Sequence, residues 1–200
     1  MNVSPQLVKE LRERTGVGMM DCKNALRKTN GDIDKAIQLL REQGLSKAAK
    51  RSGREAKEGS IFTYIHPGAK LGVILELNCE TDFVARTEDF QELGKNLAMQ
   101  VAAASPLVVV REELSEEIVE AEREIYRKQA ESSNKPAQVI DKIIEGKLEK
   151  FYHENCLLEQ PYIRNDKEKV EDLVKATIAK LGENIVVRRF TRFQLGEDVS

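Results

Sequence analysis

The stretch Leu71-Gly72-Val73-Ile74-Leu75-Glu76-Leu77-Asn78-Cys79-Glu80-Thr81-Asp82-Phe83-Val84-Ala85-Arg86 decides how this chain folds. Its first half alternates. Leu71, Val73, Leu75, Leu77 and Cys79 share one face, and Gly72, Ile74, Glu76 and Asn78 share the other, the pattern of a strand buried on one side. From Thr87 the period becomes helical, with Phe90, Leu93, Leu97, Val101 and Ala104 on one stripe. Asn78 to Arg86 is therefore a strand-to-helix junction, where a rigid scaffold can hold side chains outward. Phe83 is the odd residue there. It lies between an acid and two small apolar residues and belongs to neither period. It is either a plug folded over the sheet end, as most large apolar residues are inside, or a wedge for a partner.

Working outward, Ile61 to His66 reads as a second strand, joined to Leu71 by the turn pair Pro67-Gly68. After the Phe90 helix, Ser105-Pro106 is a stop and Leu107 to Val110 is a short apolar run. Ser115 caps an acidic helix, with Leu114 placed to staple onto Val119. Its Glu116, Glu117, Glu120 and Glu124 form a solvated face, not a metal site, because nothing converges them. Pro136 opens a helix whose apolar face is Val139, Ile140, Ile143, Ile144, Leu148 and Phe151. Leu157 to Ile163 reads as extended, and Lys167 to Leu181 as a helix ended by Gly182. Asn184 to Phe193 closes the pattern as a strand. Its load of Arg and Phe suits a sheet edge, or a face covered by another chain. The expectation for residues 59–200 is an α+β core with a roughly three-stranded antiparallel sheet.

Upstream, residues 1–46 read as three short helices. Ser4 caps the first and Thr15-Gly16 ends it. Asn30-Gly31 stops the second, Asp32 caps the third, and Gly44 is its expected end. Of Met19 and Met20, one is expected inside the small core and one at an interface. Residues 47–58 carry five basic and two acidic residues around Ser52-Gly53 and read as a basic linker, or alternatively as a phosphate-contacting arm.

Composition narrows the function. Charged residues are 33% and hydrophobic ones 40%, as in a soluble globular protein, and no apolar run is long enough to span a membrane. The N-terminus lacks a secretory pattern. A net charge of −2 and only 5% aromatics argue against direct nucleic-acid binding. Cys22, Cys79 and Cys156 are scattered and odd in number, which fits a reduced, cytosolic setting without structural zinc. Cys79 reads as a core thiol. No dinucleotide or phosphate loop, nucleophile elbow or zinc-protease motif occurs, so neither a cofactor nor enzymatic chemistry is expected.

Two blocks carry a family resemblance: Leu11-Arg12-Glu13-Arg14-Thr15-Gly16-Val17-Gly18-Met19-Met20-Asp21-Cys22-Lys23-Asn24-Ala25-Leu26, and Glu76-Leu77-Asn78-Cys79-Glu80-Thr81-Asp82-Phe83-Val84-Ala85-Arg86. Both closely resemble the signatures of elongation factor Ts. The resemblance covers essentially the whole chain. It implies a guanine-nucleotide exchange factor acting on elongation factor Tu. It further implies an N-terminal domain like the ubiquitin-associated fold, docking on the partner through Arg12, Gly16, Val17, Gly18, Met19 and Met20. Thr81, Asp82, Phe83 and Val84 match the stretch associated with displacing the partner's Mg2+, which turns the choice for Phe83 toward the wedge. Longer members of the family carry two core subdomains. Short ones are associated with dimers, so a noncovalent homodimer that rebuilds the missing half is expected.

Overall fold

The computed structural model describes residues 3–131 and 136–197, so Met1 and Asn2 of the N-terminal pattern lie outside the described residues. The elements run α1 (Pro5–Thr15), α2 (Met19–Lys28), α3 (Ile33–Arg51), β1 (Glu58–Ile65), β2 (Leu71–Cys79), α4 (Asp82–Ala85), α5 (Glu88–Ala104), α6 (Glu116–Glu131), α7 (Ala137–Asn155), β3 (Pro161–Tyr162), β4 (Asn165–Lys169), α8 (Val170–Leu181) and β5 (Ile185–Gln194). The fold is α+β. β1, β2 and β5 form a three-stranded antiparallel sheet in the order β1-β2-β5, so the Arg- and Phe-bearing last strand is an edge, as expected. The chain divides into two compact units, Met1–Ser60 with Leu77–Leu93 and Asp172–Val186, and Ile61–Glu76 with Gly94–Glu171 and Val187–Ser200.

In the first unit, local chemistry sets the helix ends. The Ser4 hydroxyl accepts the Gln6 N–H at 3.2 Å, and Pro5 sits where its missing N–H removes nothing. Gly16 ends α1 at φ 67°, where its N–H reaches the Arg12 carbonyl at 2.7 Å. Asn30 and Gly31 reverse the chain at positive φ, and the Asp32 carboxylate accepts the Lys35 N–H at 3.0 Å to start α3. Val8, Leu11, Cys22, Ala25, Leu26, Ala36 and Leu40 make the core of this three-helix bundle.

Two expectations fail here. Gly44 does not end α3, which continues to Arg51 and takes in the expected linker's first residues, 47–51. Gly44 is buried, and a Cβ on it would stand 2.9 Å from the Ala179 Cβ of α8. The glycine is there for close helix–helix approach. Met19 and Met20 are also both outside, 48% and 64% exposed, because Val17 and Cys22 take the inward places beside them.

In the second unit, Phe62, Val73, Leu75, Leu97, Val101 and Leu148 are buried. Gly94 lets α5 lie directly on the Phe62 ring, which a Cβ would meet at 2.3 Å. Leu114 packs with Val119, Phe151 and Cys156, the expected staple. Gln100, fully buried, donates to the Gln160 side chain at 3.1 Å and the Pro161 carbonyl at 3.2 Å, and accepts the Ile163 N–H at 2.9 Å. Leu157 to Ile163 is not one extended piece. A 3-10 turn over Leu157–Glu159 leads into β3, which pairs with β4, and Lys167 belongs to that hairpin while the helix begins at Val170. β4 is exposed almost throughout, so it carries no hydrophobic alternation to read.

Candidate partner-binding site

β2 leaves the sheet at Cys79, and the chain turns at once into the single turn α4. Thr81, extended at φ −131° and ψ 154°, caps that turn by accepting the Val84 N–H on its hydroxyl at 3.4 Å. Successive helical residues point about 100° apart. Val84 and Ala85 face inward, at 9% and 6% exposure, which sends Phe83 to the outside. Phe83 is 78% exposed, the largest value among the exposed large hydrophobic residues described. Asp82, beside it, pairs with the Arg86 guanidinium at 2.8 Å.

Below the junction, Cys79 is fully buried and its thiol donates to the Thr81 carbonyl at 3.1 Å. Burial, and then the charge of Glu183, pushes its pKa up to about 11. It is a neutral packing group, as expected.

The second group of expected contacts lies at the α1–α2 turn, in the same compact unit. Arg12, Gly16, Gly18, Met19 and Met20 are exposed and Val17 is half-buried against the bundle core. The left-handed Gly16 also touches another element. A Cβ there would be 2.6 Å from the Cε of Lys180 on α8, and the Lys180 ammonium pairs with Asp89 at 2.6 Å.

Sequence reasoning missed the groups that hold the junction from behind. The Glu183 carboxylate accepts the Thr81 hydroxyl at 2.7 Å and the Thr81 N–H at 3.0 Å. Glu80 accepts the Asn184 N–H at 2.7 Å. No periodicity signals a pairing between residues a hundred positions apart.

Among the described residues, one cluster brings possible metal ligands together, and it is held by an ion pair. Glu149, His153 and Glu159 approach one another in the second unit, but the Arg111 guanidinium donates to Glu159 at 2.7 Å and to Glu149 at 3.1 and 3.2 Å. Those hydrogen bonds hold the Glu159 carboxyl below the usual range, which marks an ion-pair cluster.

The capped turn thus carries an exposed aromatic, and the methionine-bearing turn belongs to the same compact unit. The profile described as Elongation factor TS matches residues 6–197. The chain belongs to the elongation factor Ts family. It is 61% identical to elongation factor Ts of Fervidobacterium nodosum over 98% of this chain and 100% of that protein. It is 59% identical to elongation factor Ts of Caldanaerobacter subterraneus subsp. tengcongensis over 98% of each chain, and 58% identical to that of Thermosipho melanesiensis over 98% of this chain and 100% of that protein. Family membership makes this a translation elongation factor, and among the described residues no helix is long and apolar enough to cross a membrane.

Proposed function

We propose that this chain is a guanine-nucleotide exchange factor, not a catalyst of a covalent reaction. It binds elongation factor Tu in its GDP form, displaces Mg2+ from the nucleotide pocket and so speeds GDP release. The observation that carries this is the outward Phe83, 78% exposed while its neighbours Val84 and Ala85 anchor the turn inside. Mg2+ bridges nucleotide oxygens and neutralises their charge, so a wedge that shifts the groups around the metal weakens the nucleotide without touching it. Thr81, Asp82, Phe83 and Val84 form this displacing element. Arg12, Gly16, Val17, Gly18, Met19 and Met20 form a separate docking surface, whose two exposed thioethers adapt to an apolar partner patch. The test is release of fluorescent GDP from elongation factor Tu. Wild type accelerates it, Phe83→Ala accelerates it far less, and the deficit shrinks when Mg2+ is chelated beforehand. Equal acceleration by Phe83→Ala would remove the wedge from the mechanism.

We also infer that the chain forms a homodimer through the second unit. Ile65, Ile74, Phe193 and Leu195 are exposed around one groove of the sheet, lined also by Thr63, Leu71 and Gly72. An exposed apolar patch of this kind across a sheet face is a common subunit interface. Light scattering at micromolar concentration should return twice the chain mass, and a monomer there would exclude the dimer.

A further inference from the structure

We infer that Glu183 is a positioning residue for Phe83, acting through Thr81; this deepens the wedge mechanism proposed above and rests on it. The exposed ring has little of its own protein to lean on, so its direction is set by the backbone of α4. That backbone is a single turn, and one turn is not stable by itself. Its start is fixed by Thr81, and Thr81 is gripped twice by the Glu183 carboxylate, at its N–H (3.0 Å) and its hydroxyl (2.7 Å). Giving its one proton to Glu183 leaves the Thr81 oxygen free to accept the Val84 N–H at 3.4 Å, so the carboxylate also selects the rotamer that caps α4.

The grip has a firm base. Glu183 follows Gly182, which closes α8 at φ 84°. Next to it Asn184, 1% exposed, donates its side-chain N–H to the Arg54 carbonyl at 2.7 Å and its backbone N–H to Glu80 at 2.7 Å. Arg54 pairs with Glu80 at 3.6 Å. Two adjacent residues after α8 thus hold two adjacent residues after β2, and the same turn is tied to the segment just beyond α3. Charge-assisted bonds to backbone N–H groups are strong and directional, which is what a turn that must present one side chain requires.

The experiment is fluorescent GDP release from elongation factor Tu at saturating Mg2+, with Glu183→Ala, Glu183→Gln, Thr81→Val and Phe83→Ala. Glu183→Ala is expected to lower the maximal acceleration on the order of tenfold, the factor that ~1.4 kcal/mol represents. Glu183→Gln, which keeps one acceptor oxygen, should fall between. The factor concentration giving half the effect should stay near wild type, because the Met19–Met20 turn is unaltered. Added to Phe83→Ala, Glu183→Ala should lower the rate no further, since a residue that acts only by aiming the ring has nothing left to aim. Should Glu183→Ala fold poorly, Thr81→Val carries the test, because it keeps the side-chain shape and deletes the gripped hydroxyl. Full acceleration by folded Glu183→Ala, or by Thr81→Val where Glu183→Ala does not fold, or additive losses with Phe83→Ala, would overturn the positioning role while leaving the wedge intact. Full acceleration by Phe83→Ala would overturn both.

Discussion

Gly44 offers a test of the framework that carries both contact regions. A buried glycine in mid-helix is worth about 1 kcal/mol less than alanine on helix propensity alone. At Gly146, in α7, a Cβ would meet nothing within 4 Å, so Gly146→Ala should recover that full amount. At Gly44 the new Cβ would stand 2.9 Å from the Ala179 Cβ, against the ~3.5–4.0 Å at which carbon atoms rest. Overpacking of this kind costs ~1–3 kcal/mol. Gly44→Ala should therefore end up between neutral and about 2 kcal/mol less stable than wild type. Shortening the partner separates the causes. Ala179→Gly alone loses about 1 kcal/mol of helix propensity. The double variant should regain the overpacking term, a coupling of ~1–3 kcal/mol in a double-mutant cycle read by urea unfolding. If Gly44 were a helix stop, as its sequence context suggests, the two changes would simply add. Zero coupling would refute the close approach of α3 and α8.

The remaining predictions concern the two ends of the mechanism and the acid limit of the fold. Met19 and Met20 lie outside the core, so Met19→Ala with Met20→Ala should leave the melting temperature unchanged. The same pair should raise the factor concentration needed for half-maximal exchange by about ten- to a hundredfold, the effect of losing roughly 1.4–2.8 kcal/mol of apolar contact. An unchanged half-maximal concentration would remove that turn from the interface. Glu159, held below the usual carboxylate range mainly by hydrogen bonds from Arg111, stabilises the fold above its ordinary value of 4.5, and the stabilisation disappears as pH falls through the lower folded value. Glu159→Gln should thus destabilise by about 1–3 kcal/mol at neutral pH, with the difference from wild type vanishing well below pH 4.5. A pH-independent difference in urea unfolding would refute the ion-pair origin.

Where a signal was local, the sequence was enough. Strand β2, the Ser4 and Asp32 caps, the Gly16 and Gly182 stops and the Leu114 staple all follow from residues within one turn of each other. Phe83 stood out because it fitted neither neighbouring period, and the structure leaves it outside. Two misses, Gly44 and Glu183, share a cause, which is that the deciding partner is remote. Gly44 is small because of Ala179, in a helix far along the chain. The β3–β4 hairpin has no hydrophobic alternation because its outer strand is exposed. Glu183 looks like an ordinary surface acid until Thr81 is placed against it.

The energetics of exchange require more than the ring. Weakening a bound nucleotide ten-thousandfold takes about 5.5 kcal/mol of coupling. Burying one phenylalanine supplies ~1.5–3 kcal/mol at most. Linkage is reciprocal, so the nucleotide must weaken this factor by the same amount, and a factor held by the ring alone would be expelled before it acted. The proposed mechanism therefore needs a second contact, one that the nucleotide does not oppose, so that the factor would stay on its partner while the ring works at the metal. The α1–α2 turn suits that part because it belongs to the same compact unit as the ring. Lys180, reaching Gly16 on one side and Asp89 on the other, connects the turn to the helix that follows the junction. On the proposed mechanism, placing both contacts in one compact unit lets binding energy gained at the methionines be spent at Phe83, whereas a flexible tether between the two would let the ring relax away from the metal with the factor still bound.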